Sequence, residues 1–320
     1  MSNKAFKPAW WLRGGHGQTL WSCLTRKIPL HARLEQLETP DGDFINLDWV
    51  GDRGPIVVVL PGLQGDLDSS YVRRLLRACV GRGWRGVLLN YRGRGEPNRL
   101  PQSYHCGKTY DLDYLVRVLH QREPHTPIGA VGYSVGANIC LKWLGETGRC
   151  GESPPIAAAV GVSAPFHLGI VAKKIEKGFS RVYQRHLLGS LHRDLRRKMK
   201  AVDIGLKLTE SDIPSLSTFF KFDDRVTGPL NGFDGAEDYY ARTRCDTLLG
   251  YVSVPTLIVN ARNDPLVPAH LIPDIRSVSD HVTLEISDNG GHLGFVSGRW
   301  PWAPRFWLDG RVPEFLARFF

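Results

Sequence analysis

Cysteine and long apolar runs are scarce in this 320-residue chain, and each scarcity excludes a class of protein. The six cysteines are scattered, with no Cys-x-x-Cys pair and no Cys/His cluster at zinc spacing. This spacing excludes a zinc module, and nothing in the pattern indicates a disulfide framework. No stretch approaches the ~18 apolar residues that a membrane-spanning helix needs. We find no internal repeat and no low-complexity segment, so a repeat architecture is also excluded.

The composition is that of an ordinary globular protein, with 42% apolar and 23% charged residues. A chain of this length buries roughly 75% of the surface of its unfolded state, so a large core needs no covalent or metal staple. The segment from Met1 to Lys7 has no apolar run of the kind found in secretory signals. We therefore expect a soluble, cytoplasmic protein.

The net charge of +9 is unevenly placed along the chain. Residues 1–33 contain six Lys/Arg and no acid, and residues 171–200 contain ten Lys/Arg against two acids. The basic run in 171–200 is typical of a solvated helix face, and weak contact with an anionic membrane surface is the alternative. Trp10 and Trp11 would either close the core or serve as interfacial anchors. No recognition motif accompanies the charge, so we expect no nucleic-acid partner.

Short apolar runs alternate with helix-like stretches along most of the chain. Continuous runs of this length suit strands buried on both faces of a parallel sheet, and the alternation predicts an α/β fold with helices flanking that sheet. An antiparallel hairpin of 34–38 with 46–50, around the turn at Pro40 to Asp43, is expected at the edge of the sheet. The predicted core strands are 56–60, 86–90, 128–132, 156–162, 256–260 and 282–286, and the clearest helices are 70–81, 111–121 and 135–144.

The alternation of predicted strands and helices is interrupted in one interval. From Pro165 to Val252 there is no convincing core strand, only amphipathic patterns rich in Lys and Arg. A crossover between parallel strands needs a dozen or more residues, and this one is far longer. We predict a helical cap over 165–252, inserted between an N-terminal part of the core (1–164) and a C-terminal part (253–320).

The pentapeptide from Gly132 to Gly136 matches the pattern Gly-x-Ser-x-Gly, with Ser134 at its centre. The pattern alone is weak, but here it follows a predicted strand and precedes a predicted helix, which is the setting of a nucleophile elbow. Such a turn holds the serine in a strained conformation with its hydroxyl exposed at the positive end of a helix. The alternative is a serine that only caps the helix.

A serine nucleophile needs a base, and the expected chain order in this fold is serine, acid, histidine. His292 lies in a glycine-flanked loop after the last predicted strand and is the preferred base over His270 and His281. Asp264 follows the penultimate strand and is the preferred acid, which would hold the tautomer of the histidine. Asp264 in an ordinary turn before proline, with Asp288 as the acid, is the alternative.

An acyl-transfer reaction also needs backbone donors for the oxyanion of its tetrahedral intermediate. One donor should be the amide of the residue after the nucleophile, Val135. The second should come from the loop after strand 56–60, where Leu63 lies between two glycines. We predict the amides of Leu63 and Val135 as the oxyanion hole.

These residues and several further motifs resemble the YheT-like branch of the α/β hydrolases. That branch includes plant Emb8-like proteins, eukaryotic ABHD1/ABHD3-type lipid hydrolases and yeast medium-chain ethyl-ester synthases. The resemblance implies a serine-dependent hydrolase or acyltransferase of acyl esters that uses the same three residues. The matching segments, in order along the chain, are Gly15-His16-Gly17-Gln18-Thr19-Leu20, Leu60-Pro61-Gly62-Leu63, Asn90-Tyr91-Arg92-Gly93, Gly95-Glu96-Pro97-Asn98-Arg99-Leu100, Ser103-Tyr104-His105, Asp111-Leu112, the Ser134 pentapeptide, Asn263-Asp264-Pro265 and Gly290-Gly291-His292-Leu293-Gly294-Phe295.

The sequence thus predicts a carboxylic-ester hydrolase that acts on a small-molecule acyl ester through an acyl-enzyme, with no metal or organic cofactor. The glycine-containing stretch after Tyr91 lacks a full dinucleotide fingerprint, so we interpret it as a structural turn. An alcohol acyltransferase with the same triad and a non-catalytic scaffold are the alternatives. Aromatic residues of the cap would shape an acyl pocket or form the cap's own core; they are Phe166, Phe179, Tyr183, Phe219, Phe220 and Phe222.

Overall fold

The computed structural model describes residues 5–24 and 28–320, and a mixed sheet of eight strands lies at its centre. The strands are β1 (Arg33–Glu38), β2 (Phe44–Val50), β3 (Ile56–Leu60), β4 (Arg85–Asn90), β5 (Ile128–Tyr133), β6 (Ala158–Val162), β7 (Thr256–Ala261) and β8 (Val282–Ser287). Their order in the sheet is β1-β2-β4-β3-β5-β6-β7-β8; β2 pairs antiparallel with both β1 and β4, and all other neighbours pair in parallel. A separate two-stranded ribbon pairs β9 (Val296–Ser297) with β10 (Arg305–Phe306).

The mostly parallel α/β sheet predicted from the sequence is confirmed, and strand ends differ from the prediction by at most two residues. One strand is less buried than its apolar run implies. In β8 only Val282 is fully buried, because β8 is the last strand of the sheet and has a neighbour on one side only.

Helices cover both faces of the sheet. Alternate residues of β3 enter two different cores: Ile56, Val58 and Leu60 face one, while Val57 and Val59 face the other. This alternation explains why the strand reads as a continuous apolar run. The flanking helices are α1 (Gly15–Leu24), α2 (Ser70–Val80), α3 (Tyr110–Arg122), α4 (Val135–Arg149) and α10 (Trp307–Leu316).

The chain between β6 and β7, which we call the cap segment (residues 165–252), consists of helices and loops and contains no strand. Part of it has an apolar cluster of its own, centred on Leu195, Ile213 and Phe222. Its helices are α5 (Leu168–Ile175), α6 (Ser180–Ala201), α7 (Phe219–Phe222), α8 (Gly228–Leu230) and α9 (Ala236–Arg242), and a π-helical turn spans Asp223–Thr227.

Helix α6 carries much of the basic run. Most of these cations are exposed, as expected for a solvated face, but Lys198 is only 2% exposed. Its Nζ donates to the carbonyl oxygen of Asn98 (3.0 Å), to the Oδ1 of Asn98 (2.6 Å) and to the carbonyl of Leu100. Burial lowers the pKa of Lys198 to about 8. Lys198 therefore fastens α6 to the loop after β4. Within the described part of the chain, no helix combines the length and apolarity needed to cross a bilayer.

Candidate active site

Ser134 occupies a sharp turn between β5 and α4. Its φ of 52° and ψ of −117° are strained for a residue with a side chain. The two flanking glycines make the turn sterically possible. A Cβ on Gly132 would lie 2.3 Å from the carbonyl oxygen of Gly136, and a Cβ on Gly136 would lie 2.3 Å from the carbonyl oxygen of Leu60. The turn therefore needs both glycines.

Ser134, His292 and Asp264 form one hydrogen-bonded chain. Ser134 Oγ lies 2.9 Å from His292 Nε2, and His292 Nδ1 lies 2.8 Å from Asp264 Oδ2. The amides of Leu266 and Val267 donate to the other carboxylate oxygen of Asp264 at 2.8 and 3.0 Å, which fixes the carboxylate plane. Because the carboxylate accepts a hydrogen bond from the Nδ1–H group, the Nε2 lone pair faces the serine hydroxyl.

The alternative residues lie away from this chain. His270 and His281 are both exposed at the surface. The side chain of Asp288 is 86% exposed and lies 3.4 Å from the guanidinium of Arg262. The structure thus places the three preferred residues together and leaves the alternatives apart from them.

Helix α1 supports the loop that carries His292. The backbone amide of His292 donates to Thr19 Oγ1 (2.8 Å), and that hydroxyl donates to the carbonyl of Gly15 (2.8 Å). Gln18 binds both the amide and the carbonyl of Val296, at 2.6 and 3.1 Å. The motif from Gly15 to Leu20 therefore positions the histidine loop. No physical role for this motif is evident from the sequence, although the motif belongs to the family pattern.

The backbone amides of Leu63 and Val135, next to Ser134, have no acceptor among the described residues. Val135 is the first residue of α4, where amides have no partner within the helix. The loop that carries Leu63 lies against the serine, because a Cβ on Gly62 would be 3.3 Å from Ser134 Cβ. Both predicted oxyanion donors are thus free at the site.

Two tyrosines hold the loop that carries Leu63. The hydroxyl of Tyr71 accepts from the amide of Gly62 at 2.9 Å, and the hydroxyl of Tyr104 accepts from the amide of Gln64 at 3.2 Å. The amides on either side of Leu63 are therefore occupied, which leaves the Leu63 amide available. Both tyrosines were missed as site residues, because neither lies next to the serine motif in sequence.

A cavity of about 160 Å³ opens onto Ser134 and His292. Its walls are mostly apolar and come largely from the cap segment, with Leu168, Val171, Ile175, Leu187, Leu191 and Leu195 among them.

The aromatic residues of the cap take both expected roles, and some take neither. Phe219 and Phe222 line the cavity, and Phe222 also belongs to the apolar cluster of the cap, while Phe166 is buried in the main core. Phe179 and Phe220 are 51% and 37% exposed. Tyr183 lies 3.1 Å from His16, at the surface of the cap.

The cavity also has a polar region that the sequence did not reveal. Tyr240 donates to Asp223 Oδ2 at 2.8 Å, and both side chains line the cavity. Burial raises the pKa of Asp223 to about 6, although hydrogen bonds from Thr227 and Tyr240 oppose the shift. Burial also lowers the pKa of His105, another lining residue, to about 3, so that its ring is neutral. Asp223 begins the π-helical turn, a feature that is frequent at functional sites.

The glycine-containing turn after β4 is organised by a buried cation. The side chain of Arg92 is fully buried and donates to Asp111 at 2.6 and 3.0 Å, to Asp41 at 2.6 Å and to Asp43 at 3.2 Å. These contacts give the turn a structural role. In residues 5–24 and 28–320 no group of three or more His, Cys, Asp or Glu side chains is arranged to hold a metal ion.

Comparison with known proteins agrees with this architecture. The family model described as alpha/beta hydrolase fold matches residues 55–298. The chain is 37% identical to the YheT protein of Escherichia coli (strain K12), over 99% of this chain and 94% of that protein. It is 29% identical to phospholipase ABHD3 of Homo sapiens, over 93% of this chain and 75% of that protein.

A solved structure shows the same fold at low sequence similarity. The esterase Pf2001 of Pyrococcus furiosus superposes with a TM-score of 0.58 at 17% identity, over 91% of each chain. The matches to the family model and to YheT cover most of the chain, and they agree with the motifs around Ser134 and His292. The chain therefore belongs to the α/β hydrolase family, in the branch that contains YheT and ABHD3.

Proposed function

We propose that this protein is a serine-dependent carboxylic-ester hydrolase that works through an acyl-enzyme. The observation that carries the proposal is the chain of contacts from Asp264 through His292 to Ser134, at 2.8 and 2.9 Å, beside an apolar cavity. A scaffold that only binds a ligand has no physical need for this alignment.

In the acylation step Ser134 Oγ attacks the ester carbonyl while its proton moves to His292 Nε2. Asp264 stabilises the imidazolium that forms and keeps its Nδ1 proton in place. The negative charge on the carbonyl oxygen forms against the amides of Leu63 and Val135. Removal of one such donor typically lowers kcat by a factor on the order of 10²–10³.

Collapse of the intermediate breaks the bond to the leaving alcohol, which takes the proton from His292. The acyl group then remains as an ester on Ser134 Oγ. In deacylation His292 takes a proton from water, the resulting hydroxyl attacks the acyl carbonyl, and Ser134 regains its proton as the acid leaves. All protons move between these side chains, the alcohol and water, so the steps require no metal or organic cofactor.

The cavity wall supports an apolar acyl group as the substrate's main recognition element. Aliphatic side chains from α5 and α6 line it, and Phe219 and Phe222 add aromatic surface. Burial of such chains against apolar walls stabilises binding by about 0.8 kcal/mol per methylene. The name of the relative ABHD3, a phospholipase, agrees with an acyl-ester substrate.

Turnover of p-nitrophenyl esters from acetate to laurate tests the proposal. We expect the Ser134→Ala variant to lose about 10⁴-fold or more in kcat, as serine nucleophile replacements do. Ser211→Ala, which removes an exposed hydroxyl of the cap segment, is the matched control and should keep wild-type turnover.

The products formed with added ethanol separate hydrolysis from acyl transfer to an alcohol. Free acid as the main product supports the hydrolase, whereas ethyl ester as the main product identifies an acyltransferase with the same nucleophile. A folded wild-type protein that turns over none of these esters, or a Ser134→Ala variant that is equally active, would contradict the proposal.

A further inference from the structure

Three tryptophans are exposed on one part of the surface. Trp10, Trp300 and Trp302 are 61%, 43% and 78% exposed, whereas tryptophan side chains are highly buried on average. The rings of Trp300 and Trp302 stack with centroids 5.2 Å apart and an interplanar angle of 7°. We use the name tryptophan surface for Trp10, Trp300 and Trp302 together with the exposed cations that neighbour them in sequence, Lys7, Arg13, Arg299 and Arg305.

The tryptophan surface is held together by hydrogen bonds between distant parts of the chain. Trp300 and Trp302 lie in the tight loop between β9 and β10. Trp10 Nε1 donates to the carbonyl of Arg299 at 2.9 Å, and Trp11 Nε1 donates to the carbonyl of Gly298 at 3.3 Å. The exposed rings are therefore presented by a fixed loop.

The charge of the tryptophan surface has one sign. All four of its cationic side chains are exposed, and no carboxylate among the described residues forms an ion pair with any of them. The guanidinium of Arg299 lies 5.2 Å from the ring centre of Trp300. Neither residues 1–33 nor residues 289–308 contain an Asp or Glu. The named side chains of the tryptophan surface are thus all aromatic or cationic.

We propose that the tryptophan surface docks this protein on an anionic phospholipid bilayer. Indole rings prefer the headgroup level of a membrane, where their apolar body and N–H are both accommodated. Lysine and arginine side chains are attracted to anionic headgroups, and each one near the membrane surface raises the partition coefficient by about fivefold. Charge complementarity therefore favours a lipid surface as the occupant.

The tryptophan surface continues towards the cap segment. The segment that begins at Trp10 reaches His16, whose ring lies 4.9 Å from that of Phe179 and 3.1 Å from the Tyr183 hydroxyl. Phe179 and Val182, at the start of α6, are 51% and 50% exposed. Helix α6 also lines the cavity beside Ser134. Docking would thus bring the cavity-lining helix close to acyl chains in the bilayer.

Co-sedimentation with vesicles at low salt tests this docking independently of any catalysis. The protein is used as Ser134→Ala, so that failure of the proposed function does not affect the result. We expect binding to phosphatidylglycerol vesicles and much weaker binding to phosphatidylcholine vesicles. The double variant Trp300→Ala/Trp302→Ala should partition at least about tenfold less, and Arg299→Gln about fivefold less on the anionic vesicles only.

The control variant is Ile275→Ser, which removes an apolar side chain that is 64% exposed outside the tryptophan surface, and it should bind as the parent does. Absence of binding to phosphatidylglycerol vesicles, or full binding by the double tryptophan variant, would overturn the proposal. Light scattering tests whether the surface instead binds a second copy of the chain. A dimer that becomes a monomer in the double variant would show that the surface binds a second copy of the chain, and would also overturn it.

Discussion

Replacement of Thr19 by valine tests how the histidine loop is positioned. The hydroxyl of Thr19 accepts a hydrogen bond from the backbone amide of His292 at 2.8 Å, and Thr19 is only 6% exposed. Valine has nearly the same shape, so the change leaves that buried amide without this acceptor and creates little empty space. An unsatisfied buried donor costs about 1–3 kcal/mol, and we expect the free energy of unfolding to fall by that amount.

The same change should lower kcat by about 10–100-fold, because a displacement of about 1 Å at a reacting group can cost 10²-fold. KM for a short p-nitrophenyl ester should change little, since Thr19 does not line the cavity. Thr19→Ser keeps the hydroxyl and should restore most of kcat. Ser22→Ala serves as the control. It removes another buried hydroxyl of the same helix, one that donates to the carbonyl of Thr19 at 2.9 Å.

Urea unfolding and steady-state kinetics on these three variants give both quantities. A Thr19→Val variant that is destabilised but keeps wild-type kcat would refute the positioning role. So would a Thr19→Ser variant as slow as Thr19→Val, or a Ser22→Ala variant that loses kcat to the same extent.

Three further predictions concern other supports of the site. Tyr104→Phe removes the acceptor of one amide in the loop that carries Leu63, and kcat should fall by about tenfold in the same ester assay. Arg92→Met leaves the carboxylates of Asp43 and Asp111 buried without their cation, and urea unfolding should show a loss of about 3–5 kcal/mol. The raised pKa of Asp223, about 6 because of burial, means that the folded state holds this proton more tightly than the unfolded state. The stability contributed by the protonated group is therefore lost as pH rises from about 4 through 6. Across that range the free energy of unfolding of Asp223→Asn should rise by about 2–3 kcal/mol relative to that of wild type. A difference in free energy of unfolding that stays constant from pH 4 to pH 7 would contradict the raised pKa.

The strands and the three residues of the hydrogen-bonded chain were predictable for local reasons. A run such as 56–60 is apolar throughout because both faces of β3 are covered, and this needs no knowledge of distant contacts. Ser134, Asp264 and His292 each follow a predicted strand. The carboxyl ends of parallel strands lie at one edge of the sheet, so their proximity follows from topology.

The supports of the site were not predictable from local patterns. Thr19 and Tyr104 act on residues far away in sequence, and an isolated threonine or tyrosine has no periodicity that marks such a contact. Lys198 lies in a basic run that predicts a solvated face, and only the position of α6 against the loop after β4 buries it. Asp223 became a cavity residue because a π-helical turn places it there, and single-sequence patterns do not signal such turns.

Covalent labelling of the folded protein with a fluorophosphonate probe, located by peptide mass spectrometry, tests whether Ser134 is the nucleophile. We expect a single adduct on Ser134, none in Ser134→Ala, and slower labelling in His292→Gln because the hydroxyl then lacks its base. A folded wild-type protein that remains unlabelled, or that is labelled at another serine with Ser134 unmodified, would contradict the account.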